Sequence, residues 1–149
     1  MKFTYAIHPD HRVIFQRYEG RFTTSDLIAA TRQMWADPAY CRDYNGIADA
    51  SAASFGVDLH DFSTFISFLA NREEMSVGRW AVVATSPLAT ACGFIYKKAV
   101  SSQHKFEVFS SWDAACDFVN LPQTLENFSQ PASLTAPDQP KKSTDLAAK

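Results

Sequence analysis

In Phe3-Thr4-Tyr5-Ala6-Ile7 large side chains alternate with small ones, and Val13, Phe15 and Arg17 alternate with Ile14, Gln16 and Tyr18. Period-two alternation is the mark of a strand. His8-Pro9-Asp10-His11 between the two runs carries turn residues, so the chain is expected to open with an antiparallel hairpin. After it, one unit recurs: a short apolar run ends in Ser, Thr, Asp or Gly and leads into residues spaced for an amphipathic helix. The four joints are Tyr18-Glu19-Gly20 into Thr23, Ile47-Ala48-Asp49 into Asp58, Trp80 to Ala84 into Ser86, and Phe106 to Phe109 into Ser110.

Each joint carries its own start signal. Thr23 and Asp26 have the spacing of a capping box, in which each side chain accepts from the other residue's backbone N–H. Leu27, Ala30, Thr31, Met34 and Trp35 then recur at helical spacing, and Asp37-Pro38 ends the helix because the proline ring disfavours helical geometry at the residue before it. Gly46-Ile47-Ala48-Asp49 reads as a short buried strand. Asp58 is the next N-cap, followed by the stripe Phe62, Phe65, Ile66 and Leu69, expected to face the sheet. Trp80 to Ala84 is nearly all apolar, as a central parallel strand covered on both faces should be. Ser86-Pro87 pairs a cap with a proline at the first helical position, and Leu88, Ala91, Cys92, Ile95 and Ala99 are expected on that helix's inner face. Phe106, Val108 and Phe109 make the last strand. Ser110 with Asp113 forms a second expected capping box, opening a helix with Trp112, Ala115, Cys116 and Val119 inward and Pro122 beyond it.

The pattern β-β-α-β-α-β-α-β-α predicts an α/β fold with a mostly parallel five-stranded sheet opened by an antiparallel hairpin. With 149 residues, 46% hydrophobic, there is material for one well-filled core. Residues 1–121 are expected to form it. From Pro122 the character changes: four of the seven prolines and none of the glycines lie there, and large apolar residues thin out. Residues 122–149 therefore read as a mostly disordered tail, on which Leu125 and Phe128 are the candidates for docking.

Charge narrows the function. A net charge of -2 with scattered basic residues lacks the concentrated positive stripe of a nucleic-acid or membrane-surface binder. Cys41, Cys92 and Cys116 have neither paired nor zinc-like spacing and suit a reducing cytoplasm. No apolar run is long enough for a signal peptide core or a membrane span, so no membrane insertion is expected. No Gly-rich phosphate loop or nucleophile elbow appears, and no cofactor, metal or catalytic residue is expected.

The element order resembles the STAS domain, the SpoIIAA-like fold of anti-sigma-factor antagonists, and more closely a group of small, largely uncharacterised bacterial proteins that share that fold. The residues carrying the resemblance are Tyr18-Glu19-Gly20-Arg21-Phe22-Thr23, Trp35-Ala36-Asp37-Pro38-Ala39-Tyr40, Asp49, Gly78-Arg79-Trp80-Ala81-Val82-Val83, and Val108-Phe109 with Ala114-Ala115. They are motifs of packing and turning, and cover roughly residues 1–121. The antagonists are phosphorylated on a serine that follows an aspartate after the third strand. The resemblance implies that role for Ser51, although Ala50 separates it from Asp49 here.

Ligands of open α/β sheets bind where the strands' carboxyl ends meet helix N-termini. That rim is expected to hold Asp49, Ser51, Thr85, Ser86 and Ser110 as candidate regulatory or ligand residues, with Glu19, Thr23 and Ser111 nearby. His8 and His11 could clip a metal but have no companion ligands, and Cys92 reads as a small hydrophobe. Phe68 and Phe94 lie off their helices' inner stripes, which points to exposed aromatic surface and self-association as a homodimer. The expectation is a non-enzymatic regulatory or protein-interaction module in the cytoplasm. The alternative is a carrier of a small apolar ligand or lipid, as in the related CRAL-TRIO architecture, and an enzyme of unknown type is third.

Overall fold

A computed structural model describes residues 1–70 and 72–121. The tail reading of residues 122–149 lies outside them. The elements follow the expected order: β1 (Lys2–His8), a 3-10 turn (Pro9–His11), β2 (Val13–Phe22), α1 (Thr24–Trp35), β3 (Asn45–Phe55), α2 (Leu59–Leu69), β4 (Trp80–Val83), α3 (Pro87–Val100), β5 (Phe106–Phe109) and α4 (Trp112–Phe118). One sheet holds all five strands in sequence order, with β1 antiparallel to β2 and every other pair parallel.

That strand order dictates the layering. Each parallel step from β2 to β5 advances in the same direction, and right-handed crossovers then place α1, α2 and α3 on one face. Ile14, Met34, Leu69, Trp80 and Phe106 form the core there, continuous with a second cluster around Phe22, Leu27, Phe62 and Cys92. The opposite face carries α4, whose Ala115 and Val119 pack with Val13, Phe15, Ile47, Ala81 and Val83, while Trp112 stacks on Phe15 at 5.8 Å between centroids.

The capping chemistry is realised almost as expected. Thr23 and Asp26 form the full capping box: Asp26 Oδ2 accepts from Thr23 N at 2.8 Å and the Thr23 hydroxyl accepts from Asp26 N at 3.3 Å. Asp58 Oδ1 accepts from Asp61 N at 2.7 Å, and Ser86 Oγ from Ala89 N at 3.2 Å with Pro87 opening α3. The last cap falls one residue later than expected, on Ser111 rather than Ser110, its hydroxyl accepting from Ala114 N.

Three further differences matter for the site. β3 runs to Phe55 and not to Asp49: Arg17 pairs with Asp49 but Glu19 with Ala52, so β3 carries one extra residue, a β-bulge, and continues beside β2 to the Phe22–Phe55 pair. The buried side chains of Ala50 and Ala53, three apart instead of two, record that bulge. The inner face of α3 is Ala89, Cys92, Gly93 and Val100, whereas Leu88 is 37% exposed. Small residues win because the helix sits close on the sheet: a Cβ on Gly93 would lie 2.7 Å from Val108 Cγ2. On α2, Phe62 and Leu69 are buried, and Phe65 and Ile66 only partly so.

Candidate functional site

Where α1, α2 and α3 meet the sheet, the layer does not close completely. A cavity of about 140 Å³ lies between them, with Gln16, Tyr18, Ala48, Ala50, Trp80 and Phe106 from the strands in its wall. Leu27, Thr31 and Met34 of α1, Phe62, Phe65 and Leu69 of α2, and Ala89, Cys92, Gly93 and Tyr96 of α3 complete most of the rest. Along the sheet the wall is made small by Ala48 and Ala50. Large aromatics, which would be expected to fill a core, stand around the space instead.

Most polar groups in this wall have hydrogen-bond partners within the protein. Tyr18 OH donates to Gln16 Oε1 at 3.1 Å, and Gln16 Nε2 donates to Met34 Sδ at 2.9 Å. The Thr31 hydroxyl donates back to Leu27 O at 2.8 Å. Tyr96 OH meets His104 Nε2 at 3.4 Å, and the hydroxyls of Ser76 and Tyr40 meet at 3.1 Å. Trp80 Nε1 and His104 Nδ1 are the exceptions: both are buried and have no hydrogen-bond partner among the described residues. The Trp80 ring leans over Gly46, where a Cβ would come within 2.5 Å of Cε2 and Cζ2.

Burial drives every ionisable group in the wall towards its neutral form. It raises the Tyr18, Tyr96 and Cys92 pKa values, so the Cys92 thiol is no nucleophile. It lowers that of His104, 7% exposed, with the nearby Gly78 backbone working the other way. Because the folded state holds His104 neutral more firmly than the unfolded chain does, the unfolded state takes up more protons below the ordinary value of 6.5, and stability decreases as the pH is lowered through that range. A His104→Phe variant is expected to lose less stability than wild type between pH 6.5 and about pH 5 in denaturant melts. Parallel pH profiles of the two would refute the assignment.

The rim expected from sequence is partly assembled. Asp49 Oδ1 accepts from both the Ser51 amide, at 3.0 Å, and the Ser51 hydroxyl, at 2.6 Å, and the Thr85 hydroxyl donates to Ser51 O at 3.1 Å. Ser86 is next in the chain but caps α3, and Ser110 follows β5 one residue before the α4 cap. Ser51 stands in the bulge of β3, so its contacts to Asp49 satisfy the donors of a residue pushed out of the ladder. Phe94 is 54% exposed, while Phe68 is half-buried, stacked on Trp35 at 5.6 Å and flanked by Arg32 and Arg72. Among the described residues no group of three or more His, Cys, Asp or Glu is placed to hold a metal ion, and no helix is long and apolar enough to cross a membrane.

The chain is similar to the crystal structure of an uncharacterized protein of the DUF3478 family with a SpoIIAA-like fold, from Shewanella loihica PV-4. The two superpose with a TM-score of 0.53 over 78% of this chain and 93% of the other. The fold is SpoIIAA-like. At 13% identity the likeness extends to the architecture alone. No family model matches the chain, and no curated protein does. Within the SpoIIAA-like architecture the rim is a set of strand ends and caps. The cavity is where side chains from three helices and four strands converge without filling the space.

Phe55, Phe62, Phe65, Phe68, Phe94, Trp35 and Trp80 read in the sequence as a packed core or an apolar cleft, and five of them, all but Phe68 and Phe94, line the cavity. Its aromatic residues were visible, but Ala48, Ala50, Ala89 and Gly93 were not read as a common wall. The available signal was the concentration of small residues on β3 and α3, on faces that should otherwise carry Val, Leu or Ile.

Proposed function

We propose that this SpoIIAA-like protein is a binding module whose ligand is a small apolar molecule held between the sheet and α1–α3. The observation that carries this reading is the cavity itself, about 140 Å³ in volume and walled mainly by aromatic and aliphatic side chains. A space of that size is enough to accept a molecule such as benzene. Ligand pockets are apolar in the main with a few placed polar groups, as here. Between the two principal expectations, the small-ligand carrier has a cavity to support it. The partner-binding module rests on a rim whose hydroxyls already have local structural partners.

Filling the cavity tests this. Ala89 is buried in its wall on α3, where leucine suits the helix. Millimolar benzene is expected to raise the melting temperature of wild type by a few degrees through binding to the native state, and to leave Ala89→Leu unmoved. Without benzene, Ala89→Leu should melt at or slightly above the wild-type temperature, as cavity-filling changes commonly do. Wild type insensitive to benzene would overturn the proposal.

A further inference from the structure

If the cavity is the ligand site, on which reading this inference rests, the side chain that stands between β2 and α1 sets what it prefers. Along β2, Val13 and Phe15 pack with α4, while Ile14 packs with Met34 on the opposite face. Alternation therefore turns Gln16 to the α1–α3 side, where it is 7% exposed and lines the cavity. An apolar side chain there would complete the floor as Ile14 does. A glutamine instead takes an amide out of water, which costs free energy unless its donors and its acceptor are met.

The amide is met unevenly. Its Oε1 accepts from the Tyr18 hydroxyl at 3.1 Å, which fixes the other end of the amide toward α1. There Nε2 has two N–H donors, and its one partner among the described residues is Met34 Sδ at 2.9 Å. A thioether sulfur is a weak acceptor on a flexible side chain, so it yields readily to an oxygen. Met34 is itself a wall residue, and a ligand in the cavity meets both members of this contact. Other polar groups of the wall offer less, because Trp80 Nε1 and His104 Nδ1 are covered by protein and the Thr31 hydroxyl donates within its own helix. No Asp, Glu, Lys or Arg is among the residues around the cavity, so a charged oxygen would meet no counter-charge.

We propose that Gln16 is the polar anchor of the cavity and selects a neutral phenol, a ring-sized apolar molecule whose uncharged oxygen replaces Met34 Sδ as the acceptor of Gln16 Nε2. The displaced sulfur then packs against the ligand's ring, a favourable contact for a thioether. The aromatic wall supplies the affinity and the amide supplies the preference.

Phenol and toluene provide the test, since they are nearly the same shape and differ in a hydroxyl or a methyl group. Each is titrated into the full chain, wild type and Gln16→Leu, and followed in ¹H–¹⁵N spectra that include the Gln16 side-chain amide. Leucine keeps the floor apolar, and the ratio of the two affinities cancels any change that affects both ligands alike. The preference for phenol relative to toluene is expected to fall ~10-fold in Gln16→Leu, the effect of one hydrogen bond between uncharged groups. In wild type, phenol should move a Gln16 amide proton further downfield than toluene does. If the Tyr18 hydroxyl left unpaired prevents Gln16→Leu from folding, Tyr18→Phe is added and the same ratio is read; if that variant also fails to fold, the wild-type amide shift decides alone. An unchanged ratio, a Gln16 amide that responds alike to both, or toluene binding without phenol overturns the anchor and leaves the apolar cavity standing. Failure of phenol and toluene alike to bind overturns the cavity reading itself.

Discussion

Phe22→Ala is expected to destabilise the protein by about 3–5 kcal/mol, the range for truncating a fully buried aromatic. Phe22 is 0% exposed at the end of β2, where it pairs with Phe55 and packs in the cluster holding Leu27, Ala50, Ala53 and Phe62. Its backbone carbonyl also accepts from Gly56 N at 2.7 Å, which ties the end of β3 to β2 just before α2 begins. Removing the ring empties the space between the β2–β3 ribbon, α1 and α2, and the backbone has little freedom to collapse there. Since the cluster borders the cavity through Leu27, Ala50 and Phe62, benzene binding should weaken in the same variant. A loss below about 1 kcal/mol in denaturant melts would mean that β3 does not extend to Phe55 as described.

Gly46→Ala should cost about 1–3 kcal/mol, the usual price of overpacking, and should impair ligand uptake. Gly46 and Trp80 are register partners on adjacent parallel strands, so both side-chain positions face α1–α3. The indole occupies the space that a Cβ at Gly46 would need, with three ring atoms within 2.6 Å of it. Backbone pairing on both sides of β3 holds Gly46 in place, so the ring has to yield, and the space open to it on that face is the cavity. The expected result is a changed Trp fluorescence spectrum and at least ~10-fold weaker benzene binding, on the reasoning that lost volume is lost contact. Unaltered fluorescence together with unaltered binding would show that Trp80 does not form the wall as described.

How legible the molecule was depended on how local each feature is. The Thr23–Asp26 box, the Asp58 cap and the Ser86-Pro87 start involve groups within three residues of one another. Their geometry follows from spacing. The Ser110 cap failed by one residue because Ser110 and Ser111 are both competent hydroxyls, and the sheet decides where β5 ends. The inner face of α3 differs from the expected one because hydrophobic size is not the guide to burial there. At an interface this close, a helix turns its smallest side chains inward, and Leu88 is left outside.

The candidate site divides in the same way. Asp49, Ser51 and Thr85 come together as the β/α rhythm implied, since strand ends and the turns after them converge in any parallel sheet. The contacts they make have a structural purpose that only the bulge reveals: Ala50 and Ser51 together stand opposite Tyr18, and Asp49 satisfies the Ser51 donors.

Sequence by itself determined the kind and order of the elements, because period and capping act between near neighbours; the face on which α1, α2 and α3 lie follows from the strand order, which the sheet decides. Tertiary structure alone decided the length of β3, the register shift inside it, and the cavity. The wall is drawn from strands and helices between Gln16 and Phe106, and no single one of them is unusual in sequence. A void is the space that many well-packed neighbours fail to reach. That is information about how side chains from far apart in the chain fit together in three dimensions, which no local pattern encodes.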